Sequence, residues 1–350
     1  MTTTTQPIIQ QTVDVAALLR LARVRGGCLS FFLPDQKPGA PTGTHHSILR
    51  QLVREVPPDL LGAMSGMLED ERLKAGGLGL AIFCSAATGV EAFRVRGIQD
   101  PSVFIGDHYH LTPLLRPVFE TGDIFILGLS RQHMRLCRYE NHAVSEVAWP
   151  VGVPVSLAEA EHGRTGAAGN HSLTGVSPSA MSSVQFGSVT RPDREGADHH
   201  LTQFFQLVDA GLEPLLAGAP LLLGGVVEEI ACYRKVAKYR AVMEQEITGS
   251  VEHKRTSELA ELAHSIATEA YFAESDRVLA GCQAMKNKLD DSGEIVKAAL
   301  EGRMHRLCVR EGAAPQETSA AVAETLCTGG EVFDVRALPG AAPMVAALRY

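Results

Sequence analysis

Residues 122–149 read GDIFILGLSRQHMRLCRYENHAVSEVAW. Three apolar-rich runs crowd into this stretch: Ile124–Leu129, Met134–Tyr139 and Ala143–Trp149. Each has the length of a strand, and the links between them leave room only for turns, with Asn141 suited to the second. Strands joined so tightly must run antiparallel, because a parallel pair needs a crossover of a dozen or more residues. The stretch therefore predicts a three-stranded antiparallel meander, and the rest of the chain is read outward from it.

Upstream, Val13 to Leu21 has helical apolar spacing, and Cys28 to Leu33 reads as a short strand. The first dozen residues, rich in Thr and Gln, read as a frayed tail, and Pro34 to Gly43 as a loop. Ile48, Leu49, Leu52 and Val53 mark one helix face, and Leu60, Leu61, Met64, Met67 and Leu68 mark the next, which Gly76-Gly77 stops. Leu78–Cys84 and Val90–Val95 form a hairpin turning at Gly89, and His110 to Glu120 a helix with Pro113 in its first turn.

Downstream, Val151 to Arg194 is rich in Gly, Ser, Thr and Ala and nearly without period, so it reads as a long loop that is either functional or disordered. Asp198 is the expected N-cap of a helix carrying Leu201, Phe204, Phe205, Val208, Leu212 and Leu215. Then come a strand at Pro220–Leu223, a turn at Gly224-Gly225 and helices at Val226–Tyr239, Ser257–Tyr271, Asp276–Leu289 and Glu294–Leu300. Met304–Val309, Val332–Val335 and Met344–Tyr350 read as strands, with a helix at Glu317–Leu326. The fold class is a modular α/β (α+β) protein of three domains: 1–120, 121–272 with the long loop at 151–197, and a small layered 273–350.

Composition limits the function. The 350 residues are 45% hydrophobic and 21% charged, as in a globular chain with real cores. No apolar run reaches membrane-spanning length, and the N-terminus lacks the basic and apolar regions of a signal peptide, so the expectation is a soluble, cytoplasmic protein. The seven cysteines stand singly with no CxxC, which reads as buried thiols in a reducing compartment. A net charge of −8 argues against a protein that coats DNA, though not against a local basic surface docking on a ribonucleoprotein.

No enzyme emerges from the motifs. Asp107-His108-Tyr109-His110, His45-His46 and Asp198-His199-His200 lack the spacing of a metal site; the first reads as a helix entry with Asp107 near an N-terminus, the other two as solvated helix starts. Gly224-Gly225 follows a strand without GxGxxG or GxxxxGK[ST], and no GxSxG is present. Glu228-Glu229 and Asp290-Asp291 read as solvated faces, and no cofactor or metal is called for. Arg131, His133 and Arg135 would share one face of an extended strand, with Arg138 beside them. That is either a phosphate-tracking surface or an ordinary charged sheet face. Arg234, Lys235, Lys238 and Arg240 suit a helix C-terminus.

Several segments, in order, resemble one family. Gly79-Leu-Ala-Ile-Phe83, His110-Leu-Thr-Pro-Leu-Leu115, the meander, Leu221-Leu-Leu-Gly-Gly225, Ala298-Ala-Leu-Glu-Gly302 and the closing Ala346-Ala-Leu-Arg-Tyr350 are similar to stretches of archaeal and eukaryotic class-I release factors and Pelota. The closest resemblance is to the bacterial release factor-like branch, which includes ribosome hibernation factors of the Balon type. It implies an RNase-H-like middle domain, the ribosome and its RNA as partner, a translational GTPase as a possible second, and neither membrane nor DNA.

Release factors carry a Gly-Gly-Gln tripeptide just after the meander. This chain has His162-Gly-Arg-Thr-Gly-Ala-Ala-Gly-Asn-His171 there, with Gly169-Asn170 as the nearest analogue. Asn is one methylene shorter than Gln, and misplacement by about 1 Å can cost a hundredfold in rate, so peptide release is not expected. His162, Gly163, Arg164, Gly166, Gly169, Asn170 and His171 instead suit a loop that lies against RNA, with Arg131, Arg135 and Arg138 as the second contact. The role implied is ribosome hibernation or protection by occupying a tRNA-like site. A diverged peptidyl-tRNA or RNA hydrolase using 162–171, and a protein–protein scaffold, stay open.

Overall fold

The computed structural model describes residues 8–10, 12–36, 41–58, 61, 64–70, 77–120, 123–140, 142–167 and 192–350. The first segment carries β1 (Ile8–Gln10), α1 (Val15–Ala22), β2 (Cys28–Leu33), α2 (Thr44–Leu52), α3 (Ser65–Leu68), β3 (Gly79–Ser85), β4 (Gly89–Val95), β5 (Ser102–Gly106) and α4 (Thr112–Phe119). Its strands lie in the order β1-β4-β3-β2-β5, antiparallel except for β1 beside β4. β2 and β3 are buried along their whole length, which is why they read as unbroken apolar runs. Alternation splits β2 between two cores: Leu29, Phe31 and Leu33 pack with Leu49 and Met67, while Cys28 and Phe32 face Leu18 and Leu114.

Three expectations change here. Ile8–Gln10 is a strand in register with Glu91–Phe93, not part of a frayed tail. His45 is fully buried instead of solvated, its Nε2 2.8 Å from the Pro34 carbonyl. β5 is an added edge strand whose half-exposed pattern gave no clear period.

The middle segment carries β6 (Asp123–Gly128), β7 (Arg135–Glu140), β8 (Ala143–Glu146), α5 (Leu157–Ala167), α6 (Pro192–Leu216), β9 (Leu221–Gly225), α7 (Val227–Val236), β10 (Val242–Thr248) and the start of α8 (Thr256–Ala284). The meander forms as expected, with Ile124 opposite Tyr139 and Tyr139 opposite Val144. β9 and β10 add in parallel to give the order β10-β9-β6-β7-β8, the arrangement expected of an RNase-H-like domain. α6 packs Phe204, Phe205, Val208 and Leu212 on one face of this sheet.

Several readings of this segment are corrected. Part of 151–194 is helical: α5 begins at Leu157 and α6 at Pro192, so Asp198 lies inside a helix instead of capping it, while 168–191 lie outside the described residues. Proline suits a first helical turn and outweighed the later Asp signal. Gly224 and Gly225 end a strand instead of making a turn. A Cβ on Gly224 would sit 2.4 Å from Val251 Cγ2, and one on Gly225 3.1 Å from the Leu129 carbonyl oxygen. β10, charged and at a sheet edge, was missed. The two helices expected at 257–271 and 276–289 are one that ends at Ala284, because Phe272–Ser275 holds no Gly or Pro to break it, and Lys288–Leu289 is a strand instead.

The last segment carries β11 (Lys288–Leu289), α9 (Ser292–Leu300), β12 (Met304–Arg310), α10 (Pro315–Cys327), β13 (Glu331–Val335) and β14 (Met344–Leu348), in sheet order β11-β14-β12-β13. Asp291 is the N-cap of α9, accepting from the Glu294 N–H at 2.9 Å, and not merely a solvated carboxylate.

The chain divides into two compact units, 1–120 with 267–350, and 121–266. Within the first unit one core joins Leu18, Leu21 and Leu114 to Ala298, Val322 and Leu326, and Glu324 takes an ion pair from Arg25 at 2.8 Å. All seven cysteines are free thiols. No helix among the described residues is long and apolar enough to cross a membrane.

Candidate functional site: the meander and helix α5

The turn between β6 and β7 is built by Ser130, whose Oγ accepts from the N–H groups of Gln132 at 3.1 Å and His133 at 3.3 Å. β7 begins only at Arg135, so Arg131 and His133 sit in this turn and do not share a strand face with Arg135 as expected. The turn also fixes α5: the Leu157 N–H donates to the Arg131 carbonyl at 3.0 Å, and the Met134 N–H to the Val155 carbonyl at 2.8 Å.

Each meander arginine has an acidic neighbour. Arg131, half exposed at 51%, lies 3.5 Å from Glu229. Burial raises the Glu229 carboxyl above its ordinary pKa, an effect that Arg131 counters, so Glu229 is not the solvated face its neighbour Glu228 suggested. Arg135, only 13% exposed, pairs with Glu146 at 2.7 Å and donates Nη1 to the carbonyls of Val251 and Lys254 at 3.2 and 2.7 Å. Arg138 grips Asp123 with two bonds, at 2.7 and 2.8 Å, and that contact holds the Asp123 carboxyl below its usual range. The sequence offered no way to see these partners, which stand up to 119 residues away along the chain.

α5 starts on a capping box. Ser156 Oγ accepts from the Glu159 N–H at 3.2 Å, and Glu159 Oε2 accepts from the Val155 N–H at 2.8 Å. His200 of α6 lies 2.9 Å from Glu161, tying the two helices together inside the unit. His162 is exposed, its Nδ1 donating to the Ala158 carbonyl at 2.6 Å. Gly163, Arg164 and Gly166 lie on the backbone of the last turns of α5. Gly169, Asn170 and His171 lie outside the described residues. The predicted site residues thus fall into two groups, a turn and strand of paired arginines and a capped helix leading into 162–171. No cluster of His, Cys, Asp and Glu among the described residues has the make-up of a metal site.

Residues 122–269, which contain the whole meander, α5 and the 162–171 stretch, match the model of bacterial archaeo-eukaryotic release factor family 6. Over that span the chain is similar to this family. The match supports a translation-factor-like role. No curated protein matches the chain. Among solved structures, the archaeal translation termination factor aRF1 is 15% identical, with 97% of this chain and 99% of that chain covered and a TM-score of 0.24. Archaeoglobus fulgidus Pelota is 14% identical over 98% of this chain and 94% of its own, with a TM-score of 0.38. Saccharomyces cerevisiae Dom34, described as a translation termination-like factor, is 9% identical over 81% of each chain, with a TM-score of 0.31. At these values no residue role is transferred from any of the three. The release factor-like region itself rests on the family match and on the strand order above.

Proposed function

We propose that this chain is a ribosome-associated factor that occupies a tRNA-like site and protects idle ribosomes without releasing peptide. One observation carries the reading: residues 122–269 match a release factor family, yet no Gly-Gly-Gln stands anywhere in the chain. In this reading residues 162–171, led outward by the capped α5, lie against ribosomal RNA. The glycines offer backbone N–H groups, and Arg164, His162 and His171 offer donors for phosphate. Arg131, the most exposed of the meander arginines, adds a charge that its pairing with Glu229 leaves open to solvent. Hibernation under stress, a translational GTPase as second partner and the division into three modules at 1–120, 121–272 and 273–350 belong to the same proposal.

The test is sedimentation of tagged protein through sucrose gradients with 70S ribosomes from growing and starved cells, at low and moderate salt. Co-sedimentation that weakens with salt is the expected result, because phosphate contacts release counterions. Protein confined to the top of the gradient in every state would overturn the reading.

A further inference from the structure

The first unit contains a cleft of about 390 Å³, lined among others by Phe32, His110, Thr112, Arg116, Asp334 and Arg336. The proposed ribosome role makes no use of it. Its volume is that of a small-molecule site.

One wall is the first turn of α4. Thr112 is only 8% exposed, and its Oγ1 has no hydrogen-bond partner among the described residues. Buried polar atoms are nearly always paired, because leaving one unpaired costs stability, so such an orphan calls for an explanation. One helical turn on, Arg116 reaches the same cleft by lying across Gly97, where a Cβ would come within 1.7 Å of Arg116 Nη2 and φ is +90°. The carboxylates nearest to Arg116, on Glu120 and Glu311, stand 3.9 and 4.0 Å away, beyond hydrogen-bond distance. An orphan hydroxyl and an under-engaged guanidinium therefore both line the cleft, and both favour an anion.

The same lining carries hydrogen-bond acceptors, and Arg116 lowers the Asp334 pKa that burial raises. Asp334 is buried and takes the Tyr271 hydroxyl on Oδ1. His110 is buried between Phe32 and Phe104, with ring centroids 5.6 and 5.9 Å away. Its backbone N–H donates to Ser30 Oγ at 3.0 Å, and its Nδ1 lies 3.4 Å from Ser319 Oγ. Burial holds this imidazole neutral, with its pKa pushed down to about 4. Arg336 closes the rim, already committed to Glu269 and stacked 4.3 Å over the Phe272 ring.

We propose that this cleft binds a small organic anion whose phosphate or carboxylate sits at Thr112 and Arg116 and whose hydrogen-bond donor faces Asp334 and His110. The proposal stands apart from ribosome binding and can fail without it.

Isothermal titration of the full chain tests it, with a nucleoside monophosphate panel, an amino-acid panel and inorganic phosphate as separate arms. At least one organic probe binds the wild type, and the arm it belongs to tells phosphate from carboxylate. Thr112→Val weakens that binding by about tenfold, the usual worth of a hydrogen bond to a charged group. It also unfolds at the same or a higher temperature without ligand, since it removes an unpaired hydroxyl. Arg116→Gln weakens binding further. Absence of any organic probe binding at millimolar concentration, equal affinity in wild type and Thr112→Val, or binding of inorganic phosphate alone would each overturn the proposal.

Discussion

The meander and the α4 cleft use polar groups in opposite ways. In the meander, Arg131, Arg135 and Arg138 all face carboxylates, and Arg135 also satisfies two backbone carbonyls. In the cleft, Thr112 Oγ1 has no partner among the described residues and Arg116 only distant ones. The comparison teaches that charge which is conspicuous in a sequence is often spent on the protein's own architecture. Groups left open for a ligand can be unremarkable in sequence and show themselves only through burial. For the proposed ribosome role, it singles out Arg131 and His162, both of them exposed.

The largest effect is expected where pairing inside the middle unit is most complete. Buried Asp209 accepts from the Tyr233 hydroxyl at 2.9 Å and the Lys238 N–H at 2.7 Å, holding the end of α7 to α6. Asp209→Ala strands these donors and the Tyr239 N–H, from which Asp209 accepts at 3.3 Å, and is expected to cost about 2–4 kcal/mol in urea unfolding. A cost below about 1 kcal/mol would mean that the buried network is dispensable.

Next comes the packing of β9. Gly224→Ala drives a methyl into Val251 and is expected to cost about 1–3 kcal/mol, part of which the double variant with Val251→Ala recovers. No recovery would place the clash elsewhere.

Two arginines sharpen the comparison directly. Arg135→Ala is expected to lose about 2 kcal/mol, because it leaves the Val251 and Lys254 carbonyls without their donor. Arg131→Ala should change stability by less than about 0.5 kcal/mol. In ribosome binding the order reverses: Arg131→Ala lowers the salt slope by about one, the value for one lost phosphate contact. Equal effects of the two on stability would break the distinction drawn here.

The smallest effect is a pH dependence seen only by difference. Burial raises the Asp334 carboxyl to about 6 and lowers the His110 imidazole to about 4. The folded state holds the Asp334 proton more tightly than the unfolded chain, so that group's contribution is full below its unfolded pKa and fades as pH rises toward 6. His110 does the reverse: its contribution is full above its unfolded pKa and fades as pH falls toward 4. The two trends oppose each other between roughly pH 4 and 6.5. Asp334→Asn should therefore make stability rise more steeply with pH across that window than in the wild type, and His110→Gln should make it rise less steeply or fall. Superimposable pH curves for both variants would contradict the assignment.

The meander, the β3–β4 hairpin and strands β12, β13 and β14 were legible because alternation and turn residues are local signals, whereas the two-residue β11 was read as the end of a helix. The edge strands β5 and β10 were not, since an edge needs less burial and its period is diluted by charge. α6 was placed late because Asp198 resembles a cap, whereas the helix had already begun at Pro192. Of the candidate site, the sequence showed the arginines and the 162–171 stretch but not Asp123, Glu146 or Glu229, whose roles depend on tertiary contact. The cleft was wholly hidden, assembled from β2, the stretch 97–116 and residues 311–336.

The most direct test of the central claim is site-specific crosslinking. A photoreactive side chain installed at position 162, where α5 leads into the stretch that lacks Gly-Gly-Gln, is irradiated on purified 70S ribosomes and the products are mapped by primer extension. Salt-sensitive crosslinks to ribosomal RNA at a discrete site are the predicted result. Crosslinks to proteins alone, or none while the protein co-sediments, would mean that this region does not meet RNA and would contradict the account.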